Sequence, residues 1–247
     1  MASAEQLHTE LKDLQSNVAE LFVEPGSVGW WDAHAARLRR RRPRAGGLTV
    51  EQIVSAALRL ADVEGHDSLT VRNLAACLGT SSATLYRHVA SVDELWILVV
   101  DRVLGEIDLA ADAGGARQRV VCLSVDFRRV LLDHPGVVPA LRAAPLLGPN
   151  ARRSAEAGLA HLLAMGLDDD VAATSYLALI DFVLGSVYFD TAGAVHRHGA
   201  VPASSDDRSL FARHRGALTS HSSDEVFLAG LHAFLDGLAA AAPTRER

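Results

Sequence analysis

Between Thr70 and His88 the chain gathers side chains suited to gripping phosphate oxygens and base edges: Thr70, Arg72, Ser81, Ser82, Thr84, Tyr86 and His88. Serine and threonine hydroxyls can bond either a base or a phosphate, and a guanidinium adds charge-assisted bonds to phosphate. Tyr86 and His88 suit backbone oxygens, with their apolar bodies packed underneath. The chain contains no HExxH, no phosphate-binding glycine loop and no Gly-x-Ser-x-Gly. The pattern points to recognition of a duplex rather than to bond-making, so the chain is expected to be no enzyme and to need no cofactor or metal.

Upstream lies a run of arginines, Arg37, Arg39, Arg40, Arg41, Arg42 and Arg44, ahead of a Pro/Gly stretch. Such a run is either a solvated face or an arm that tracks phosphates or enters a minor groove. Its place directly before the groove-reading segment favours the arm, with Arg42 and Arg44 as its DNA contacts. Net charge is −6 over 247 residues, yet residues 37–102 hold ten arginines against seven acids, a local +3 that leaves −9 elsewhere. A basic end on an acidic body fits a protein that meets nucleic acid with one region only. Trp30 and Trp31 read as packing anchors for this extension.

These side chains need short, well-capped helices to hold them. Thr49 with Gln52 makes a capping box, and Ile53, Val54, Ala57, Leu60 and Ala61 trace one apolar face until Gly65. Thr70 caps a second helix with Val71, Leu74, Ala75 and Leu78 inward, and Gly79 ends it. Ser81 or Ser82 caps a short third helix, and Ser91 with Glu94 forms another capping box that starts a helix through about Ile107. Two short helices joined by a Gly-containing turn and supported by a third are helix-turn-helix geometry, whose second helix enters the major groove. The helix start near Ser82 presents free N–H groups toward phosphate or base edges.

The stretch "LTVRNLAACLGTSSATLYRHVASVDEL" resembles the DNA-binding segment of the TetR family of transcriptional repressors, and the likeness extends over residues 48–107. "LLDHPGVVPAL", "LGPNA" and "DEVFLAGLHAFLDGL" are similar to the C-terminal domain of the tetracycline-repressor subgroup. The resemblance implies an all-α dimer with a helix-turn-helix head and a helical ligand-binding body, released from operator DNA by a small molecule. It also implies DNA contacts at Thr70, Arg72, Ser81, Ser82, Thr84, Tyr86 and His88. Many members carry a lysine just after "YRHV"; here that stretch reads Ala90, Ser91, Val92. Residues 136–145 hold no histidine, which argues against a tetracycline–magnesium ligand. The competing readings are a constitutive dimeric DNA-binding protein without an effector and a helical enzyme with a vestigial head.

The chain divides into an extension at 1–45 with a leucine seam at 5–21, a head at 46–92 and a body at 93–242. Body helices are expected near 116–133, 136–143, 149–165, 169–192 and 223–241, with a polar linker at 196–222 and a short helix near Leu210. Asp181, within an otherwise apolar helix, is a candidate polar contact for the effector, with Phe127, His134, Tyr176 and Phe182 on other walls of the pocket. A structural hydrogen bond or a solvent-facing position is the alternative for Asp181. The helices at 169–192 and 223–241 are apolar on more than one face and are expected to pair across a two-fold. His196, His198, His214 and His221 share one loop region without an acid or cysteine at ligand spacing, the mark of a hydrated loop. Cys77 and Cys122 read as reduced core residues. No apolar leader begins the chain and no unbroken apolar run reaches about 18 residues, so a cytoplasmic protein without membrane contact is expected.

Overall fold

The computed structural model describes residues 24–40, 47–110, 114–191 and 209–241, in which helices joined by turns are the regular structure and no strand occurs. Arg41, Arg42, Arg44, the 5–21 seam, His196 and His198 lie outside the described residues.

The first helix, α1 (Val28–Arg40), occupies part of the stretch expected to be a basic segment running into a tether. The Ser27 hydroxyl accepts the Trp30 N–H at 3.2 Å, giving the helix a start. Trp30, Trp31 and His34 fall on one side and are buried, so a segment dominated by charge in sequence folds because one turn of it is aromatic.

The head follows as α2 (Val50–Glu64), α3 (Val71–Cys77) and the single-turn α4 (Ser82–Leu85). Thr49 and Gln52 form the reciprocal capping box, at 3.1 and 2.9 Å. Ile53, Ala57 and Ala61 are buried along one face of α2, and Leu74, Ala75 and Leu85 close the core beneath α3 and α4. Gly79 ends α3 with φ +60°, the left-handed region that favours glycine, while the Thr80 N–H returns to the Ala75 carbonyl at 2.9 Å. Cys77 corrects the expectation of a core thiol: it is exposed, at the last residue of α3.

The helix α5 (Val92–Leu104) runs from head to body, packing on α2 at one end and on α7 (Pro149–Ala164) at the other. Its start is only half a capping box. Ser91 Oγ accepts the Glu94 N–H at 3.0 Å, but the Glu94 carboxylate accepts the Ala90 N–H at 2.6 Å, one residue earlier than the box requires. Asp101 Oδ1 accepts from both the Asn150 and Ala151 N–H groups, at 3.0 and 3.1 Å, and so caps α7 from α5, since Gly148 has no side chain to do it.

In the body, α6 (Ala116–Asp133), α7 and α8 (Asp169–Thr191) pack against one another, and α10 (Ser223–Ala241) lies on α6 and α8. The helix expected at 136–143 is a 3₁₀ turn, Val138–Arg142, because Pro139 near its start and Pro145 beyond it leave no room for a full α-turn ladder. Within the expected linker, Ser209 caps α9 (Leu210–Ser220), the short helix expected near Leu210, which takes in His214 where a loop was expected. By length and composition α8 is apolar enough to cross a membrane. Here Leu179, Val183 and Val187 are buried against its neighbours.

Candidate nucleic-acid interface

Thr70 caps α3, its hydroxyl accepting the Asn73 N–H at 3.1 Å, and Arg72 stands exposed two residues on. The structure selects Ser81 as the cap of α4: its hydroxyl accepts the Thr84 N–H at 3.2 Å. Thr84 Oγ1 lies 3.0 Å from Ser81 Oγ and accepts from Arg87 Nη2 at 3.1 Å, so cap, hydroxyl and guanidinium form one short chain. Ser82 is exposed at the first helical position, and Tyr86 presents 56% of its surface. The helical path continues past Leu85 as tight turns, with the His88 and Val89 N–H groups both returning to the Leu85 carbonyl. Leu85 and Val89 are buried beneath, which leaves Ser82, Tyr86 and Arg87 outward and His88 half-buried. Thr70, Arg72, Ser81, Ser82 and Tyr86 therefore share one exposed polar rim on a packed support.

A groove separates this rim from α1, lined by His34, Arg37, Leu38, Val50 and residues 86–90. The buried Glu94 carboxylate meets two of these lining residues, Arg37 Nη2 at 3.4 Å and His34 Nδ1 at 3.9 Å. The His34 ring stacks on Trp30 with centroids 5.0 Å apart. Burial, reinforced by the neighbouring Arg37 charge, pushes the His34 pKa down despite the pull of Glu94. Sequence reasoning missed this trio. A histidine four residues after Trp30 and three after Trp31, the spacing that shares their helix face, is the signal that could have found it.

The residues considered for the effector are not gathered in one place. His134 sits at the joint between head and body: Nδ1 lies 3.0 Å from both Asp62 oxygens on α2, and Nε2 lies 3.1 Å from Glu106 just beyond α5. Burial lowers its pKa, but the hydrogen bonds and charges of Glu106 and Asp62 outweigh that and leave it raised. The same joint is tightened by Gly136, where a Cβ would overlap the Ala61 carbonyl, and by His66, whose Nδ1 lies 3.3 Å from the Gly136 oxygen. Asp181 is exposed on α8. Phe127 is buried on α6, Tyr176 abuts Gly158 of α7, and Phe182 stacks on Phe227 of α10 with centroids 5.3 Å apart. Arg128, absent from the sequence reading, is buried between Asp190 at 2.5 Å and Asp224 at 2.6 Å, its guanidinium 5.0 Å from the Phe227 ring centre.

Residues 53–96 match the family model for bacterial regulatory proteins of the tetR family, and residues 110–242 match that for the tetracyclin repressor-like C-terminal domain. An HTH-type transcriptional regulator of Saccharopolyspora erythraea is 35% identical over 184 residues, 74% of each chain. The HTH-type transcriptional repressor DrrR1 of Streptomyces coeruleorubidus is 33% identical over 151 residues, 59% of this chain and 56% of that protein. Among solved structures, apo ActR from Streptomyces coelicolor is similar with a TM-score of 0.70 and 33% identity, over 79% of this chain and 96% of ActR. ActR in complex with actinorhodin gives a TM-score of 0.69 at the same identity, over 79% of this chain and 98% of ActR. With its capped helix-turn-helix, its helical body and both family models matched in order, the chain belongs to the TetR family of transcriptional regulators.

Proposed function

We propose that this regulator is a dimeric repressor that leaves its operator when a small molecule occupies the helical body. The single observation that carries the DNA half of this reading is the exposed rim of Thr70, Arg72, Ser81, Ser82 and Tyr86 on a buried Leu74, Leu85 and Val89 support. Polar tips on a rigid base are what groove recognition needs. The dimer half rests on α8 and α10, which leave Leu177, Phe189, Val226 and Leu228 exposed in one protomer, surface that a two-fold partner would cover. Release requires that the effector bind better to an arrangement whose two heads no longer match major grooves about 34–36 Å apart. ActR, similar in fold, was solved with actinorhodin bound. Phe127, Tyr176 and Phe182, on the inner side of the body helices, are the effector contacts carried forward. The work is done by binding, in the cytoplasm where the chromosome lies.

Duplexes recovered from a random pool by full-length protein supply the operator, and Arg72→Ala and Tyr86→Ala supply the test. Both variants should lose at least tenfold in affinity for the recovered duplex while sedimenting as the wild-type dimer does. Wild-type affinity in both would show that the rim is not the recognition surface, and a wild-type monomer at micromolar concentration would remove the dimer.

A further inference from the structure

The helix α1 is fastened to the head at its basic end. Trp30 and Trp31 bury its first turns, and His34 and Arg37 one turn further on reach Glu94. The same Glu94 carboxylate holds the Ala90 N–H, the group that closes the recognition turn. One buried acid therefore fixes the spacing between the last turn of α1 and residues 86–90, and the groove between them is lined from one side by Arg37 and Leu38 and from the other by Tyr86, Arg87 and His88. Arg37, Arg39 and Arg40 fall in that last turn. Compensation of the helix dipole is a weak, surface-level effect that a single cation serves. Three guanidiniums in four residues exceed it, and Arg39 and Arg40 are exposed without an ion pair to a described residue.

We propose that α1 is a rigid part of the DNA interface, its last turn presenting Arg37, Arg39 and Arg40 to backbone phosphates beside the groove that the recognition turn enters. The inference rests on the reading of the head as the DNA-binding surface. Arginines on a docked helix have already given up much of their positional freedom, so their contacts have a fixed register relative to Tyr86 rather than the loose reach of a tether. Phosphate contacts of this kind position the head and carry no base preference.

The test is a salt titration of full-length protein on two probes, a random-sequence 40-base-pair duplex and the duplex recovered by selection. Arg39→Gln/Arg40→Gln leaves the Trp30, Trp31 and Glu94 attachments intact. It should weaken both probes alike, leave their affinity ratio unchanged, and flatten the slope of log affinity against log salt by about 0.9 for each phosphate no longer neutralised, hence about 3 to 4 for two heads. Arg37→Gln added to the pair should flatten it further. An unchanged slope in the double variant, or a weakening confined to the selected duplex, overturns the proposal. Failure of the underlying reading looks different: Arg72→Ala and Tyr86→Ala would then also keep wild-type affinity for the selected duplex.

Discussion

The two joints of the head each carry a histidine beside carboxylate, and they treat it in opposite ways. At the α1 joint His34 lies flat on Trp30 with one acid and one arginine nearby, and burial drives it toward the neutral form. At the body joint His134 stands between Asp62 and Glu106, and two acids hold it toward the charged form against a smaller burial. The charges around His134 are otherwise committed, with Arg102 on Glu106 and Arg129 on Asp133 and Asp126. The number of acids per imidazole, set against aromatic cover, decides whether a joint tightens in acid or in base. The α1 joint is an apolar seam with one ionic peg; the body joint is an ionic clamp over a backbone contact.

The largest effect should come from the peg. Glu94→Ala strips the acceptor from the Ala90 N–H and the counter-charge from the half-exposed Arg37, and losing a backbone bond to a buried carboxylate costs about 1.5–3 kcal/mol. Urea unfolding measures it, and a loss below about 1 kcal/mol would mean that Trp30 and Trp31 hold α1 without ionic help. Next comes the backbone contact. Gly136→Ala forces a methyl against the Ala61 carbonyl and should cost about 1–3 kcal/mol in the same assay, through strain between the head and the 3₁₀ turn. Stability equal to wild type would show that this joint is compliant.

The smallest effect is the clamp itself, and its sign separates the two joints. A raised folded pKa means that His134 stabilises fully below the ordinary histidine value of about 6.5 and loses that contribution as pH rises through its folded value. His134→Gln should therefore lower the melting temperature at pH 6 by an amount worth about 1 kcal/mol or less, and the gap should close in alkali. His34, with its folded pKa depressed, works the other way: it costs stability as pH falls below about 6.5, so His34→Gln should lose less than wild type on acidification. Parallel pH profiles for the two variants would erase the distinction between the joints.

The capped helices of the head were legible because their signals are local: Thr49, Thr70 and Ser81 each bond a backbone N–H within three residues. The exposed rim followed from the same caps. What sequence could not show is where distant segments meet. His134 reads as a pocket histidine until Asp62, 72 residues away, is found beside it. Glu94 matched a capping-box spacing, yet its carboxylate serves Ala90 and Arg37 instead. The helix at α1 was hidden by composition, since its charged surface masks the three residues that bury it. Pro139 was visible, but only packing shows that it shortens the expected helix to a 3₁₀ turn.

All three tryptophans of the chain, Trp30, Trp31 and Trp96, lie at the head, the first two on α1 and the third on α5 against His66 with ring centroids 4.4 Å apart. The body beyond α5 contains none. Indole emission from the unlabelled protein is thus a private readout of the head and its two joints. Trp96 sits beside a quenching imidazole whose other neighbour is the Gly136 carbonyl, so a small change in how the body seats against α2 would alter intensity before any helix unwinds. A library of candidate effectors can be titrated by fluorescence alone, with the protein serving as its own dye.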